Sequence, residues 1–289
     1  MKKENNNDGT NTRKKHLITP FLKWVGGKRQ LLPHIKELIP SKKTYKTYME
    51  PFIGGGAVFF DLQPSKAIIN DYNKELINAY NVIKDKVDFL IKDLEKHKNE
   101  EEYFYTIRGA DRIDDYSKWS DIQKASRLIY LNKTCYNGLY RVNSKGQFNT
   151  PFGKYRNPNI VNKKRLHHVS EFLNSIELRI YNQDYREVLE LADQDTFIYL
   201  DPPYYPLSNT SSFTSYTAGG WGEKEQIELK MCCDELNKQG IRFLLSNSSA
   251  PFIKELYKEY NISYVGATRS INSKGNNRGK VKECLIKNY

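Results

Sequence analysis

From Leu76 the apolar positions Tyr80, Ile83, Val87, Leu90 and Leu94 recur at steps of four and three. That is the spacing of one buried helix face, and it predicts an amphipathic helix running toward Lys96. Leu229, Cys232, Cys233 and Leu236 fall at i, i+3, i+4, i+7 and predict a second helix over Lys224 to Lys238, closed by Gly240. Shorter helices are expected over Gln30 to Leu38 and Ala57 to Leu62. Between them lie short apolar runs with strand character: Tyr45 to Phe52, Ala67 to Asn70, Leu178 to Asn182, Thr196 to Leu200 and Ile241 to Ser246, with Ile262 to Val265 and Val281 to Ile286 as two last strands. Strands alternating with helices predict an α/β fold, a doubly wound sheet with helices on both faces.

The rhythm breaks between residues 97 and 175. This stretch is rich in Tyr, Lys, Arg, Asp and Asn, is helical around Ser120 to Lys133, and carries the turn-rich segment YNGLYRVNSKGQFNTPFGKYRNP. It is expected to be an inserted second domain, leaving 17–96 and 176–289 as the main one. Residues 1–16 are polar without periodicity and predict a disordered basic tail. The Ser and Thr run Ser208 to Thr217, followed by Gly219 and Gly220, predicts a mobile loop.

Charge narrows the partners. Among 289 residues, 46 Lys and Arg face 34 Asp and Glu, a formal net charge of +12, which serves either as a solubility device or as a surface for polyanions. Basic residues interleave with Tyr, Asn and Gly from Asn132 to Arg165 and again from Arg269 to Lys282, and these two stretches are the better candidates for phosphate contact. The longest apolar runs, such as Phe243-Leu244-Leu245, fall far short of a membrane span, and no signal-peptide core opens the chain, so a cytoplasmic address is expected. The four cysteines show no CxxC spacing and the five histidines no HExxH, so no metal site is expected.

Candidate chemistry concentrates at two strand ends. In a doubly wound sheet, ligands bind outside the carboxyl ends of the strands. There the run Thr196 to Leu200 ends in Asp201-Pro202-Pro203-Tyr204. The prolines fix φ and lack N–H groups, so the Asp201 carboxylate and the Pro202 carbonyl are two convergent acceptors suited to an amino group. Tyr204 is placed to stack on a planar ring, and a base inside a duplex would first have to be flipped out. The other strand end is Phe52-Ile53-Gly54-Gly55-Gly56, a turn whose backbone a ligand can approach closely, with Asp71 seventeen residues beyond Gly54, where a ribose diol is commonly received. It is not a dinucleotide fingerprint, because Phe59 stands at the third glycine. Nor is Gly26-Gly27-Lys28 a phosphate loop: Arg29 follows where Ser or Thr is needed, and Leu22 replaces the first glycine.

The segments FLKWVGGKRQLL, EPFIGGGAVFF, YNGLYRVNSKGQFNTPFGKY, DPPYYPLSNTSSFTSY and LLSNSS, in this order, resemble the Dam-type DNA adenine N6-methyltransferases of the alpha arrangement. The likeness runs from about Leu17 to the last residue. It implies a Rossmann-like methyltransferase sheet, S-adenosylmethionine as cofactor, a mainly helical inserted target-recognition domain, double-stranded DNA as partner and GATC as the usual site. By that resemblance Asp201, Pro202 and Tyr204 are catalytic. Trp24, Lys28, Gly54, Asp71, Asp184 and Asp201 hold the cofactor, with Lys28 on its carboxylate and Asp184 on its adenine amine, although Asn182 and Gln183 offer neighbouring groups for the latter. Tyr136, Asn137, Leu139, Arg141, Pro151 and Tyr155 match positions that the family uses at the DNA. Arg141 suits a bidentate guanine reader and Tyr136 with Asn137 a wedge or phosphate contact. A monomer or weak dimer is expected, and the resemblance leaves room for a restriction endonuclease acting on the same site. RNA adenine or a protein amide is the alternative acceptor, since a Pro-Pro-Tyr turn serves any planar amine. A regulator that binds DNA without catalysis is a further alternative, against which the intact Asp201-Pro202-Pro203-Tyr204 argues. Cytosine C5 chemistry lacks a nucleophile, because Cys135, Cys232, Cys233 and Cys284 follow Thr, Met, Cys and Glu rather than Pro.

Overall fold

The computed structural model describes residues 18–207, 221–268 and 280–289. The expected tail, the Ser208 to Thr217 loop and most of the Arg269 to Lys282 stretch lie outside them. The first half of the chain forms α1 (Leu32–Leu38), β1 (Thr47–Glu50), α2 (Ala57–Leu62), β2 (Lys66–Asn70), α3 (Lys74–Leu94), α4 (Glu101–Gly109) and α5 (Asp121–Thr134). The second half forms α6 (Lys163–Asn174), β3 (Glu177–Tyr181), α7 (Tyr185–Leu189), β4 (Thr196–Leu200), α8 (Glu223–Lys238), β5 (Arg242–Ser248), α9 (Pro251–Leu256), β6 (Asn261–Thr268) and β7 (Lys280–Lys287). No helix among the described residues is long and apolar enough to cross a membrane.

The strands make one sheet in the order β3-β2-β1-β4-β5-β7-β6. The first five are parallel, and β7 runs antiparallel between β5 and β6. Strand order reverses between β1 and β4, which pair in register Tyr48 to Phe197 and Met49 to Ile198. A reversal opens a crevice at the carboxyl ends of the two strands, because their connections leave toward opposite faces. This is the expected α/β fold, and its crevice falls between the two motifs that the sequence singled out.

Alternating side chains divide the core into two layers. Tyr48, Ile69, Phe197, Tyr199 and Leu244 face α2, α3, α5 and α6, while Met49, Ile68, Ile198, Leu200, Phe243 and Leu245 face α7, α8 and α9. With both faces covered, every residue of β4 is buried, and that is why Thr196 to Leu200 reads as an unbroken apolar run. Within the stretch 97–175, α5 contributes Leu128 and Ile129 and α6 contributes Leu166, Val169 and Phe172 to the first layer, Phe172 packing on Phe59 with ring centroids 5.2 Å apart. A smaller cluster of Phe104, Tyr130, Leu131, Cys135 and Phe148 lies under the turn-rich segment.

Local signals explain the boundaries. Asn73 caps α3 by accepting from the Leu76 N–H at 3.1 Å, and the helix is interrupted at Lys86, whose φ is −141°. Ser120 and Gln123 form a reciprocal capping box on α5. Gly240, at φ +73°, closes α8. Both α2 and β4 keep the predicted bounds. The helix expected from Gln30 starts later, because residues 28–30 form a 3-10 turn and Pro33 sits in the first turn of α1. Of the thiol pair on α8, Cys233 is buried and Cys232 only half-buried.

Candidate active site

β4 delivers Asp201 at its carboxyl end. Lys28 meets it there, with Nζ 2.8 Å from Asp201 Oδ1. The same ammonium donates to the Gly26 carbonyl at 2.6 Å and lies 4.6 Å from the centroid of the Tyr204 ring. Lys28 is 5% exposed, an uncommon burial for a lysine, and the carboxylate beside it is what makes this tolerable. Burial pushes the Asp201 carboxyl up to about 6, against the pull of Lys28 and with a further push from Glu283. Asp201 is therefore ionised at neutral pH and remains basic enough to hold a proton briefly. Tyr204 is half-buried and donates its hydroxyl to Glu283 Oε2 at 2.7 Å; burial and the nearby carboxylates keep that phenol protonated. At the end of β1, Glu50 is fully enclosed and accepts from the Tyr48 hydroxyl at 2.5 Å. Burial raises its carboxyl well above the usual range, and the charge of Asp201 adds to the rise.

The glycine turn after β1 is held by Asp71. One carboxylate oxygen accepts from the Gly54 N–H at 3.0 Å and the other from the Asn73 N–H at 2.9 Å. Burial nonetheless raises the Asp71 carboxyl to about 6. Gly54 and Gly56 adopt positive φ, and a Cβ on Gly56 would lie 2.6 Å from the Tyr80 hydroxyl, so glycine is required there. Trp24 lies over this turn, 2.9 Å from where a Cβ of Gly54 would sit, and its ring stacks on Tyr140 at 4.8 Å. It joins the turn to the inserted segment. Asp184 caps α7 through the Arg186 N–H and is gripped by the Arg186 guanidinium at 2.8 and 2.9 Å, which lowers its carboxyl below the usual range. Next to Asp71, Tyr72 is 73% exposed, and Phe52, Tyr185 and Trp221 form an aromatic group with centroids 5.1 to 5.7 Å apart.

Residues 24–271 match the D12 class N6 adenine-specific DNA methyltransferase family. The chain belongs to this family. Type II methyltransferase M1.LlaDCHI of Lactococcus lactis subsp. cremoris is 47% identical over 94% of this chain and 96% of its own. Type II methyltransferase M.MjaIII of Methanocaldococcus jannaschii is 42% identical over 94% and 99%, and the DNA adenine methylase of Escherichia coli is 34% identical over 92% and 93%.

In this adenine-specific DNA methyltransferase, Tyr136, Asn137, Leu139, Arg141, Pro151 and Tyr155 share one hairpin-like segment. It is closed by bridges between Cys135 and Phe152 and between Val142 and Phe148. Tyr136, Asn137, Arg141 and Pro151 are exposed, while Leu139 and Tyr155 are half-buried. Asn137 takes a left-handed backbone, φ 56°, at the tip of a turn. Arg141 donates from Nε to Asn149 at 2.7 Å. The segment is tied to the Trp24 loop by Asn132, which accepts from the Lys23 N–H at 2.9 Å and donates to the Lys23 and Gly138 carbonyls.

Sequence reading missed Glu50 and Glu283, and although it singled out the basic stretch that holds Lys133 and Arg165, it did not join these to Lys23 and Arg29 in one cationic group. Lys133 is half-buried, and burial with the charges of Arg165, Lys23 and Arg29 lowers its ammonium to about 8. None of these four forms an ion pair with a described residue. The available signal was charge density alone, since the four positions are scattered over 143 positions of sequence.

Proposed function

We propose that this enzyme transfers a methyl group from S-adenosylmethionine to N6 of adenine in duplex DNA, within GATC, after flipping the base out of the helix. One observation carries the reading. A largely buried carboxylate stands at the end of β4, and the carbonyl of the next residue accepts no hydrogen bond from any described residue.

The donor set suits the cofactor. An ammonium has three N–H groups, and Lys28 commits two of them to Gly26 and Asp201, leaving one for a ligand carboxylate. Each oxygen of Asp71 accepts one backbone N–H and keeps a lone pair for a hydroxyl donor. Asp184 retains acceptor capacity on the oxygen that takes a single Arg186 bond. Tyr72 offers an exposed flat ring beside Asp71 for a purine. Bound among these groups, S-adenosylmethionine supplies an electrophilic methyl group.

The chain's own residues then act on the amine. The lone pair of an exocyclic adenine nitrogen is delocalised into the ring. When Asp201 and the Pro202 carbonyl each accept one N6 hydrogen, the lone pair is released from that delocalisation and aimed. As the nitrogen forms one bond to the methyl carbon, that carbon's bond to the leaving sulfur would break, with sulfur keeping the electron pair; the nitrogen must also lose one proton, which the Asp201 carboxylate can receive. Tyr204 provides a stacking surface, its orientation fixed from one side by Lys28 and from the other by Glu283.

The test is incorporation of labelled methyl groups into unmethylated plasmid DNA, followed by base analysis and digestion with enzymes sensitive to GATC methylation. Label in N6-methyladenine at GATC is expected; label in RNA or protein acceptors but not in DNA overturns the reading. Asp201→Ala should lower kcat at least about 100-fold.

A further inference from the structure

The two prolines that leave acceptors uncontested also deprive their own loop of anchors, since neither has an N–H to donate. A different device holds it. The Pro203 carbonyl accepts from Gln226 Nε2 on α8 at 2.9 Å, and Gln226 Oε1 accepts from Asn247 Nδ2 on β5 at 2.9 Å. Asn247 Oδ1 accepts in turn from the Tyr205 N–H at 3.1 Å and the Ser248 N–H at 2.8 Å. Both amide side chains are fully buried.

The polarity of this chain of bonds is fixed. Two backbone N–H groups converge on one end of the Asn247 amide, so that end must be oxygen and its nitrogen must face Gln226. Gln226 then has to present oxygen to Asn247 and nitrogen to Pro203. The result turns the Pro203 carbonyl inward and satisfies it, pulls the Tyr205 N–H inward, and leaves the Pro202 carbonyl without a hydrogen-bond donor among the described residues. We infer that Gln226 and Asn247 are positioning residues that select which carbonyl of the Pro-Pro turn is offered to the substrate amine. This inference rests on the amine-binding reading of Asp201 and Pro202. Two buried amides between α8 and β5 are a costly way to fill space, because each unmatched polar atom there would be penalised. Their bonds end on the catalytic loop.

The experiment compares the wild-type enzyme with Gln226→Met and Gln226→Glu by kcat and KM for GATC-containing duplex, across pH 6.5 to 9.5, with thermal unfolding as the check on folding. Gln226→Met keeps the volume and removes both hydrogen bonds. Its kcat should fall about 10- to 100-fold, the scale of a displaced positioning group, while KM for DNA stays within about threefold. In Gln226→Glu the protonated side chain still donates to Pro203 and accepts from Asn247, whereas the carboxylate cannot donate. Its kcat should be near normal at the acid end and fall at alkaline pH, a descending limb that wild-type enzyme lacks and that a space-filling role would not create. Should Gln226→Met fail to fold, the pH profile of Gln226→Glu decides alone.

A kcat for Gln226→Met within twofold of wild type, or a Gln226→Glu profile superimposable on wild type, overturns the inference and leaves adenine methylation standing. Absence of methyl incorporation by the wild-type enzyme would remove both.

Discussion

At the scale of single residues the site is governed by competition around one carboxyl group. In the role proposed for it, Asp201 must be ionised to accept a hydrogen from the amine. Burial has brought its pKa up to about 6, so the active form is lost as pH falls through that value. In the wild-type enzyme kcat/KM should therefore decline about tenfold per pH unit below about pH 6. Lys28 and Glu283 pull this midpoint in opposite directions. The Lys28 charge lowers the Asp201 value, so Lys28→Met should move the acid limb to higher pH, alongside a raised KM for the cofactor. The Glu283 charge raises it, so Glu283→Gln should move the limb to lower pH while its side-chain carbonyl still accepts from the Tyr204 hydroxyl. Profiles measured with saturating DNA decide the matter; shifts in the same direction for both variants would exclude this electrostatic arrangement.

At the scale of elements, the hairpin-like segment proposed to meet DNA depends on one glycine. The Gly153 N–H donates to the Thr134 carbonyl at 2.8 Å, and a Cβ there would lie 2.7 Å from the Cys135 carbonyl oxygen and 2.8 Å from that of Thr134. Backbone atoms cannot swing aside as a flexible side chain can. Gly153→Ala should cost about 1 to 3 kcal/mol as an overpacking change and raise KM for DNA at least tenfold. Cofactor binding, measured by calorimetry, should change far less, because, of the residues proposed to hold the cofactor, Asp71, Asp184 and Lys28 sit outside this hairpin and only Trp24 touches it, through Tyr140. The consequence reaches function through packing. Sequence patterning revealed the elements whose burial is simple: α2, β4 and the long face of α3 follow from apolar spacing alone. It left out α6, although Leu166, Val169, Phe172 and Leu173 carry a helical spacing, because polar and basic residues around them suggested insert rather than core. Short α7 and α9, of five and six residues, offer too few turns for a period to show. For the site, Asp201 and the glycine turn were legible because they end strands. Gln226, Asn247 and Glu283 were not, since their contacts join strands, helices and loops far apart in sequence, and Glu50 comes near Asp201 only through the pairing of β1 with β4.

At the scale of the whole molecule the net charge of +12 acquires a direction. Exposed Lys23 and Arg29 flank the Trp24 loop, and Lys133 and Arg165 approach from α5 and α6. Burial, with the charges of Arg165, Lys23 and Arg29 added, lowers the Lys133 ammonium to about 8, and burial with the charge of Arg29 lowers Arg165. Such an arrangement is unfavourable in the free protein and is stabilised by an arriving polyanion, so part of the affinity for DNA should come from relief of this repulsion. The sign follows from linkage: a phosphate favours charged Lys133, so DNA binding takes up protons between pH 7 and 9 and weakens as pH rises through that window. Lys133→Met should flatten the pH dependence and reduce the slope of log K against log salt by about 0.9, the value of one phosphate contact. Fluorescence anisotropy titrations of a GATC duplex at several salt concentrations, at pH 7 and at pH 9, measure both quantities. An unchanged salt slope in Lys133→Met, with the pH dependence intact, would place the phosphate backbone elsewhere on the surface.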